Sequence, residues 1–348
     1  MPRLSSISDR IVSPGSDRTP VFIKNYSGTD FSSYHSTWTF STGTISLRSS
    51  TLPYHSYGNA ESVTTASNQL CNKTWSFRAG NVIVTSSSTS IVPTSPDGNV
   101  GYWINGVNMY DPSAGTEAPN GYLSFTHLNY NAAYEPSLYY SYSLEQDYAG
   151  GHVASNGNYH YHNLSFVNAW TTGSGHVSGT AGTTGTAEIS LISYLDGSLT
   201  HANGHSKILG WSLDGFPVYG PYGYSRAMDR RSGIRTMISG YSTYTKSSDV
   251  ENRVIDGALN TSAYPLGMFV QDYHFTGTGD LDVSNGRNCV TPEYPLGTYA
   301  YFCTIDPTTS RPAYPYVIGN YFKLTPVGSG QQESTSTNGG GLVPKQTG

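Results

Sequence analysis

The chain has 348 residues, of which only 12% are charged, with 29 Tyr, 39 Gly and a formal net charge of −5. An average soluble domain carries about 25% charge. The deficit here is filled by Ser, Thr, Gly, Asn and Tyr, which form strands and turns rather than helices. The composition therefore predicts an all-β protein with many loops. The acidic balance leaves no basic surface for nucleic acid, and no segment approaches the ~20 apolar residues that span a bilayer.

Residues 1 to about 95 read as short strands between Ser/Thr/Gly turns, for example Val21-Phe22-Ile23 and Val82-Ile83-Val84-Thr85. This smaller N-terminal β region, suited to assembly or attachment, ends at the turn-rich run Pro93 to Gly98. The distinctive motifs fall within 98–325, and 326–348 is Gly/Ser/Gln/Thr-rich and reads as a flexible tail. One short amphipathic helix is expected near Tyr224 to Met237, where charged residues cluster.

The most informative stretch is Tyr159-His160-Tyr161-His162. Its period of two is that of a strand, which sends both imidazoles to one face about 7 Å apart and both phenols to the other. His152 stands eight residues earlier, beyond a Ser-Asn-Gly-Asn turn, so a hairpin would return it beside this strand. His205 is a candidate fourth ligand from a neighbouring strand, with Asp214 as an acceptor that orients a ring. This set suits Zn or Cu. The same residues also suit a hydrogen-bonded Tyr–His network inside an aromatic core. His35, His55, His127, His176, His201 and His274 lack such context and read as surface or loop residues.

Downstream, His205 to Pro221 runs as an apolar strand, an Asp214-Gly215 turn, and a short strand closed by Gly220-Pro221. A third block contains Asp280, Asp282, Asn285-Gly286-Arg287 and Thr291-Pro292-Glu293-Tyr294-Pro295. Asp280, Asp282 and Asn285 offer hard oxygens for Ca²⁺, but Gly286 comes one place later than in an EF-hand loop, and an Asx-bonded turn fits the same residues. Arg287 is a candidate brace to Asp280, Asp282 or Glu293. Cys289 and Cys303 flank a turn-rich stretch and read either as a disulfide or as two small buried thiols. Tyr110, Tyr130, Tyr134, Tyr139, Tyr140 and Tyr142 crowd one region, where sheet packing accounts for most of them.

Taken in order, these motifs resemble the YHYH domain family over about residues 98–322. The family pattern has a Gly-His pair ahead of the YHYH, a His-Ser-x-x-x-Gly strand, and an Asp-Gly-Phe-Pro-x-Tyr-Gly-Pro turn. It closes with an Asp-Leu-Asp…Asn-Gly-Arg…Thr-Pro-Glu-Tyr-Pro block. Family members often carry a cysteine where this chain has Ala149, so a thiolate or disulfide role at that point is excluded. The resemblance implies a large β-sandwich-like domain and supplies no reaction.

No Gly-x-Ser-x-Gly elbow, P-loop or dinucleotide fingerprint is present. The composition is that of particle and adhesin subunits, and Met1-Pro2-Arg3-Leu4-Ser5-Ser6 lacks the apolar core of a secretory signal. The expected function is therefore a bacteriophage virion protein (tail, fibre or capsid-associated), made in the host cytoplasm, structural or host-recognising. Its expected partners are itself as a homo-oligomer, other virion proteins, and a host surface glycan. The competing expectations are a Zn- or Cu-dependent enzyme acting on a surface polysaccharide, and an extracellular carbohydrate-binding module.

Overall fold

The computed structural model describes residues 36–41, 43–49, 51, 71–78, 84, 92–93, 98–112, 151–153, 158–164, 200–250, 266–267, 270–308, 312–326 and 328–329. In chain order the strands begin with β1 (Ser36–Ser41), β2 (Thr44–Ser49), β3 (Cys71–Ser76), β4 (Val92–Pro93), β5 (Asn99–Trp103) and β6 (Asn108–Tyr110). Then come β7 (Gly151–Val153), β8 (Tyr159–Tyr161), β9 (Ile208–Ser212), β10 (Pro217–Tyr219), β11 (Tyr222–Tyr224) and β12 (Ile234–Thr236). The last are β13 (Tyr241–Thr243), β14 (Tyr273–Phe275), β15 (Gly286–Cys289), β16 (Thr298–Phe302), β17 (Tyr321–Phe322) and β18 (Gly328–Ser329). Helical structure among the described residues is confined to two 3₁₀ turns, Ser247–Asp249 and Val270–Asp272. The protein is all-β, as its composition predicts. No helix among these residues is long and apolar enough to cross a membrane.

Local sequence explains the strands. In β2 the alternation Thr-Ile-Ser-Leu-Arg-Ser turns Ile45, Leu47 and Ser49 inward and leaves Ser46 and Arg48 further out. Gly43, at φ +78°, closes the β1–β2 hairpin. β16 is buried along its whole length: Tyr299, Tyr301 and, just past it, Cys303 join one apolar cluster, while Ala300 and Phe302 join another. That strand lies inside a sheet of order β15-β16-β10-β9-β5-β6-β8-β7, with parallel pairs at β10/β16 and β6/β8. A sheet buried on both faces needs apolar or fully satisfied residues at every position.

A second sheet, β1-β2-β3-β18, covers one of those faces. Trp38, Ile45, Leu47 and Trp75 share a cluster with Tyr102, Trp211, Tyr219 and Phe302. Phe40 and Phe77 pack on the Trp211 ring at 5.2 and 5.4 Å, and Trp75 on Tyr102 at 5.5 Å. The two indole N–H groups find carbonyls across the interface, Trp38 Nε1 on Ile104 at 3.1 Å and Trp75 Nε1 on Ser212 at 2.8 Å. The described N-terminal strands thus share their core with the motif-bearing strands. Residues 1–95 had been expected to form a region apart, with a boundary near 95.

One helix expectation changes. Tyr224 to Met237 forms no helix: β11 and β12 pair antiparallel, and Asp229 ties the loop by accepting from the Arg231 amide and the Arg226 guanidinium. Asp prefers such local backbone bonds to a helix interior. Gly328–Ser329, within the stretch that the sequence reads as a flexible tail, pairs with Trp75 and Thr74 of β3. Of the two readings of Cys289 and Cys303, two small buried thiols is the one found: they are free, in two different clusters on opposite faces of the large sheet. Val84 lies outside any strand, exchanging two hydrogen bonds with the Asn288 side chain. Val21-Phe22-Ile23 and Tyr130 to Tyr142 lie outside the described residues.

The two sheets approach closely at the Asp214-Gly215 turn. Gly215 has φ +90°, and a Cβ there would lie 2.1 Å from the Ser76 carbonyl oxygen. Gly215→Ala is therefore expected to destabilise the fold by at least the ~1–3 kcal/mol of a left-handed non-glycine residue. Gly233→Ala, which meets nothing within 4 Å, should change little. Urea unfolding of both variants checks this, and equal midpoints would contradict it.

Candidate functional site

The YHYH strand sits next to the end of the large sheet, between β6 and β7. Alternation acts as expected. Tyr159 and Tyr161 point into the cluster that holds Tyr299 and Tyr301, and their rings meet edge to face at 5.3 Å. His160 and His162 take the opposite face, with ring centroids 4.8 Å apart. Tyr110 stacks on His160 at 3.9 Å. Both histidines are buried, at 1% and 0% exposure. His160 Nδ1 donates to the Asn158 carbonyl at 3.1 Å, and His162 Nδ1 to the Asp111 carbonyl. Around them Asn108 Nδ2 donates to Asn158 Oδ1 at 2.6 Å and to the Tyr159 carbonyl at 3.1 Å. The hairpin places His152 of β7 directly opposite His160 in register.

His205 lies elsewhere. Its ring neighbours are Tyr219 of β10, Tyr224 of β11, Phe302 of β16 and His201. Four inter-strand steps separate β8 from β10, or about 19 Å at the usual 4.8 Å spacing. The strand order thus divides the four-histidine set: His160 and His162 lie with His152 in register, while His205 belongs to a second polar centre. Among the described residues, no group of three or more His, Cys, Asp or Glu side chains is arranged to hold a metal ion.

That second centre is assembled by the turn at 201–205. The His201 amide donates to the His205 carbonyl at 2.8 Å, and Gly204 takes φ +86°. His201 Nε2 donates to Glu293 Oε1 at 2.7 Å, with the two side chains 14% and 3% exposed. Tyr219 OH donates to Glu293 Oε2 at 3.1 Å and, 2.9 Å from Thr291 Oγ1, accepts from that hydroxyl. His205 Nδ1 donates to the Ser206 carbonyl at 2.7 Å, while its buried Nε2 has no hydrogen-bond partner among the described residues. Arg287 Nη2 donates to the Tyr224 carbonyl at 2.6 Å, and the guanidinium lies over the Phe302 ring. Its bond is thus to the main chain, where a carboxylate partner was expected. From the sequence His201 reads as an ordinary surface or loop residue, and Glu293 has only Arg287 as a candidate partner. The spacing His201-x-x-x-His205 around Asn203-Gly204 was the local signal; the meeting with Glu293 had none.

Burial governs the electrostatics. Loss of hydration lowers both His162 and His205 from 6.5 to about 4, although the Asp111 and Ser206 carbonyls pull upward. Both are neutral at pH 7. Burial also pushes the Cys289 thiol up to about 11, so it is inert as a nucleophile.

Asp214 orients no histidine. Its fully buried carboxylate accepts from Ser212 Oγ, from Tyr301 OH at 2.7 Å and from the Leu324 amide at 3.1 Å, and burial raises its pKa. Asp280 is held in a two-pronged pair by Arg235 and accepts from the Ile238 amide at 2.9 Å. Asp282 accepts from the Ser284 amide at 3.0 Å, from Tyr299 OH at 2.9 Å and from Lys323 Nζ at 2.7 Å. Asn285, at φ 65°, donates to the Phe302 and Val317 carbonyls. These side chains make an Asx-bonded turn, and both carboxylates already carry a protein cation.

An all-β protein with paired imidazoles beside one end of its largest sheet is the class that the fold and site define. The chain matches the family described as YHYH protein over residues 82–314, and it belongs to that family. No curated protein and no solved structure matches it.

A histidine whose folded pKa is lowered leaves the unfolded chain binding more protons below pH 6.5, so stability falls with pH from about 6.5 to about 4. At ~1.36 kcal/mol per unit, His162 and His205 each cost roughly 3 kcal/mol across that window. Urea unfolding at pH 7 and at pH 4.5 should show this loss, and His162→Gln should remove about half of it. An unchanged slope in the variant would show that His162 is not buried neutral.

Proposed function

We propose that the chain is a structural or host-recognition protein of a bacteriophage particle, tail, fibre or capsid-associated. It displays its YHYH domain outward on the virion and assembles with copies of itself or with other virion proteins. The observation that carries the reading is the role of the signature strand as core. His160 and His162 are buried ring to ring, stacked on Tyr110 and tied to main-chain carbonyls, which suits a motif kept for rigidity. Low charge and an aromatic core shared by N-terminal, central and C-terminal strands suit a protein that works outside the cell. The partner class proposed for recognition is a host surface glycan.

One observation favours a second reading. His160 and His162 both donate through Nδ1 to carbonyls, the arrangement that puts the lone pair of a neutral imidazole on Nε2. That is the tautomer in which a histidine presents itself to Zn or Cu, and β7 brings His152 into register with His160. In this reading the three residues hold the ion of a metal-dependent enzyme acting on a surface polysaccharide. Such an ion would supply Lewis acidity.

Light scattering on the purified chain is expected to show a symmetric multimer whose mass does not change on dilution. A monomer at every concentration would count against the particle reading. Elemental analysis of wild type beside His160→Ala/His162→Ala separates the two readings. The particle reading expects no stoichiometric metal and a less stable variant, whereas Zn or Cu in the wild type that disappears in the variant establishes the second.

A further inference from the structure

The hairpin β11–β12 concentrates positive charge that is sparse along the rest of the chain. Arg226, Arg230, Arg231 and Arg235 fall within ten positions and make up four of the 18 Lys and Arg residues. The loop between the strands is closed on itself. The Ser225 amide donates to the Gly233 carbonyl at 2.7 Å, the Asp229 amide to Arg226 at 3.1 Å, and the Ser232 amide to Asp229 at 3.0 Å. Its base is fastened to the sheet, since the Val290 amide donates to the Ala227 carbonyl at 2.9 Å. Asp229, its one acidic residue, is used internally against Arg226 and the Arg231 amide. Arg235 is paired with Asp280. Arg230 and Arg231 are exposed, and among the described residues no ion pair closes on either.

We propose that this hairpin is a binding surface for an acidic polysaccharide, with Arg230 and Arg231 gripping its carboxylate, sulfate or phosphate groups. Guanidinium forks match such groups two bonds at a time, and a loop already ordered by its own hydrogen bonds loses little entropy on binding. The surroundings favour a sugar polymer over nucleic acid. Non-specific single-strand binders stack bases on exposed rings, whereas here Tyr224 is buried, Tyr222 is half-buried, and the exposed large neighbour is Met228. The inference deepens the glycan recognition proposed above and takes its biological setting from that reading. Binding by the purified chain is measurable without any particle, so a multimer that fails to bind would overturn this inference alone.

The experiment measures binding of the full chain to polygalacturonate and heparin, with neutral dextran and a single-stranded DNA oligonucleotide beside them, as salt is raised. The expected result is salt-sensitive binding to both acidic polymers and none to dextran. Arg230→Glu/Arg231→Glu should weaken it at least about tenfold, as expected when two contact charges are reversed, with an unchanged melting curve. Arg230→Lys/Arg231→Lys should retain part of it, since it keeps charge and loses the fork. Equal binding by wild type and the Glu variant, no binding to either acidic polymer, or tighter binding to the DNA would each overturn the proposal.

Discussion

The structure depends on one sheet being buried on both faces while carrying polar aromatic and ionisable side chains. An interior position must be apolar, or every polar atom on it must be matched. This chain takes the second course at many places. Tyr301 is matched by Asp214, Tyr299 by Asp282, Tyr219 by Glu293 and Thr291, and His162 by the Asp111 carbonyl. Most of these matches join segments far apart in sequence, so the polar network doubles as the fastening between strands.

The covering sheet follows from the same constraint. Trp211, Tyr102 and Tyr219 would be an exposed aromatic face without β1 to β3, and the indoles that cover them need acceptors of their own. Those acceptors are main-chain carbonyls at Ile104 and Ser212, just beyond β5 and at the end of β9. The Asp214-Gly215 turn then serves both layers. Its carboxylate anchors the segment at Leu324, and its glycine lets the Ser76 backbone approach. The histidine pair and the Glu293 centre lie on this same face, four strands apart, which separates whatever each of them does.

Much of the local structure was legible in the residues. The period of two in Tyr159 to His162 set the two faces, Asp214-Gly215 marked a turn, and the Ser-Asn-Gly-Asn stretch marked the hairpin that sets His152 against His160. The Asx character of the Asp282 turn was also readable, because Asp and Asn bond their own backbone wherever they sit. Illegible were the pairings that cross the chain. Arg235, rather than Arg287, reaches Asp280 because β12 is folded back by a loop whose charges suggested a helix. His205 left the presumed ligand set because β9, β5 and β6 intervene between β10 and β8.

By itself the sequence determined the all-β class, the strands and turns of its main motifs, and which face each alternating side chain takes, since these follow from backbone geometry and the nearest few neighbours. Only the tertiary structure decided strand order. Strand order in turn decided that Cys289 and Cys303 stay apart, that His201 meets Glu293, and that the N-terminal strands share the core. Side-chain periodicity is a local property with a fixed repeat, whereas strand neighbours are chosen by the burial and hydrogen bonding of the whole sheet at once.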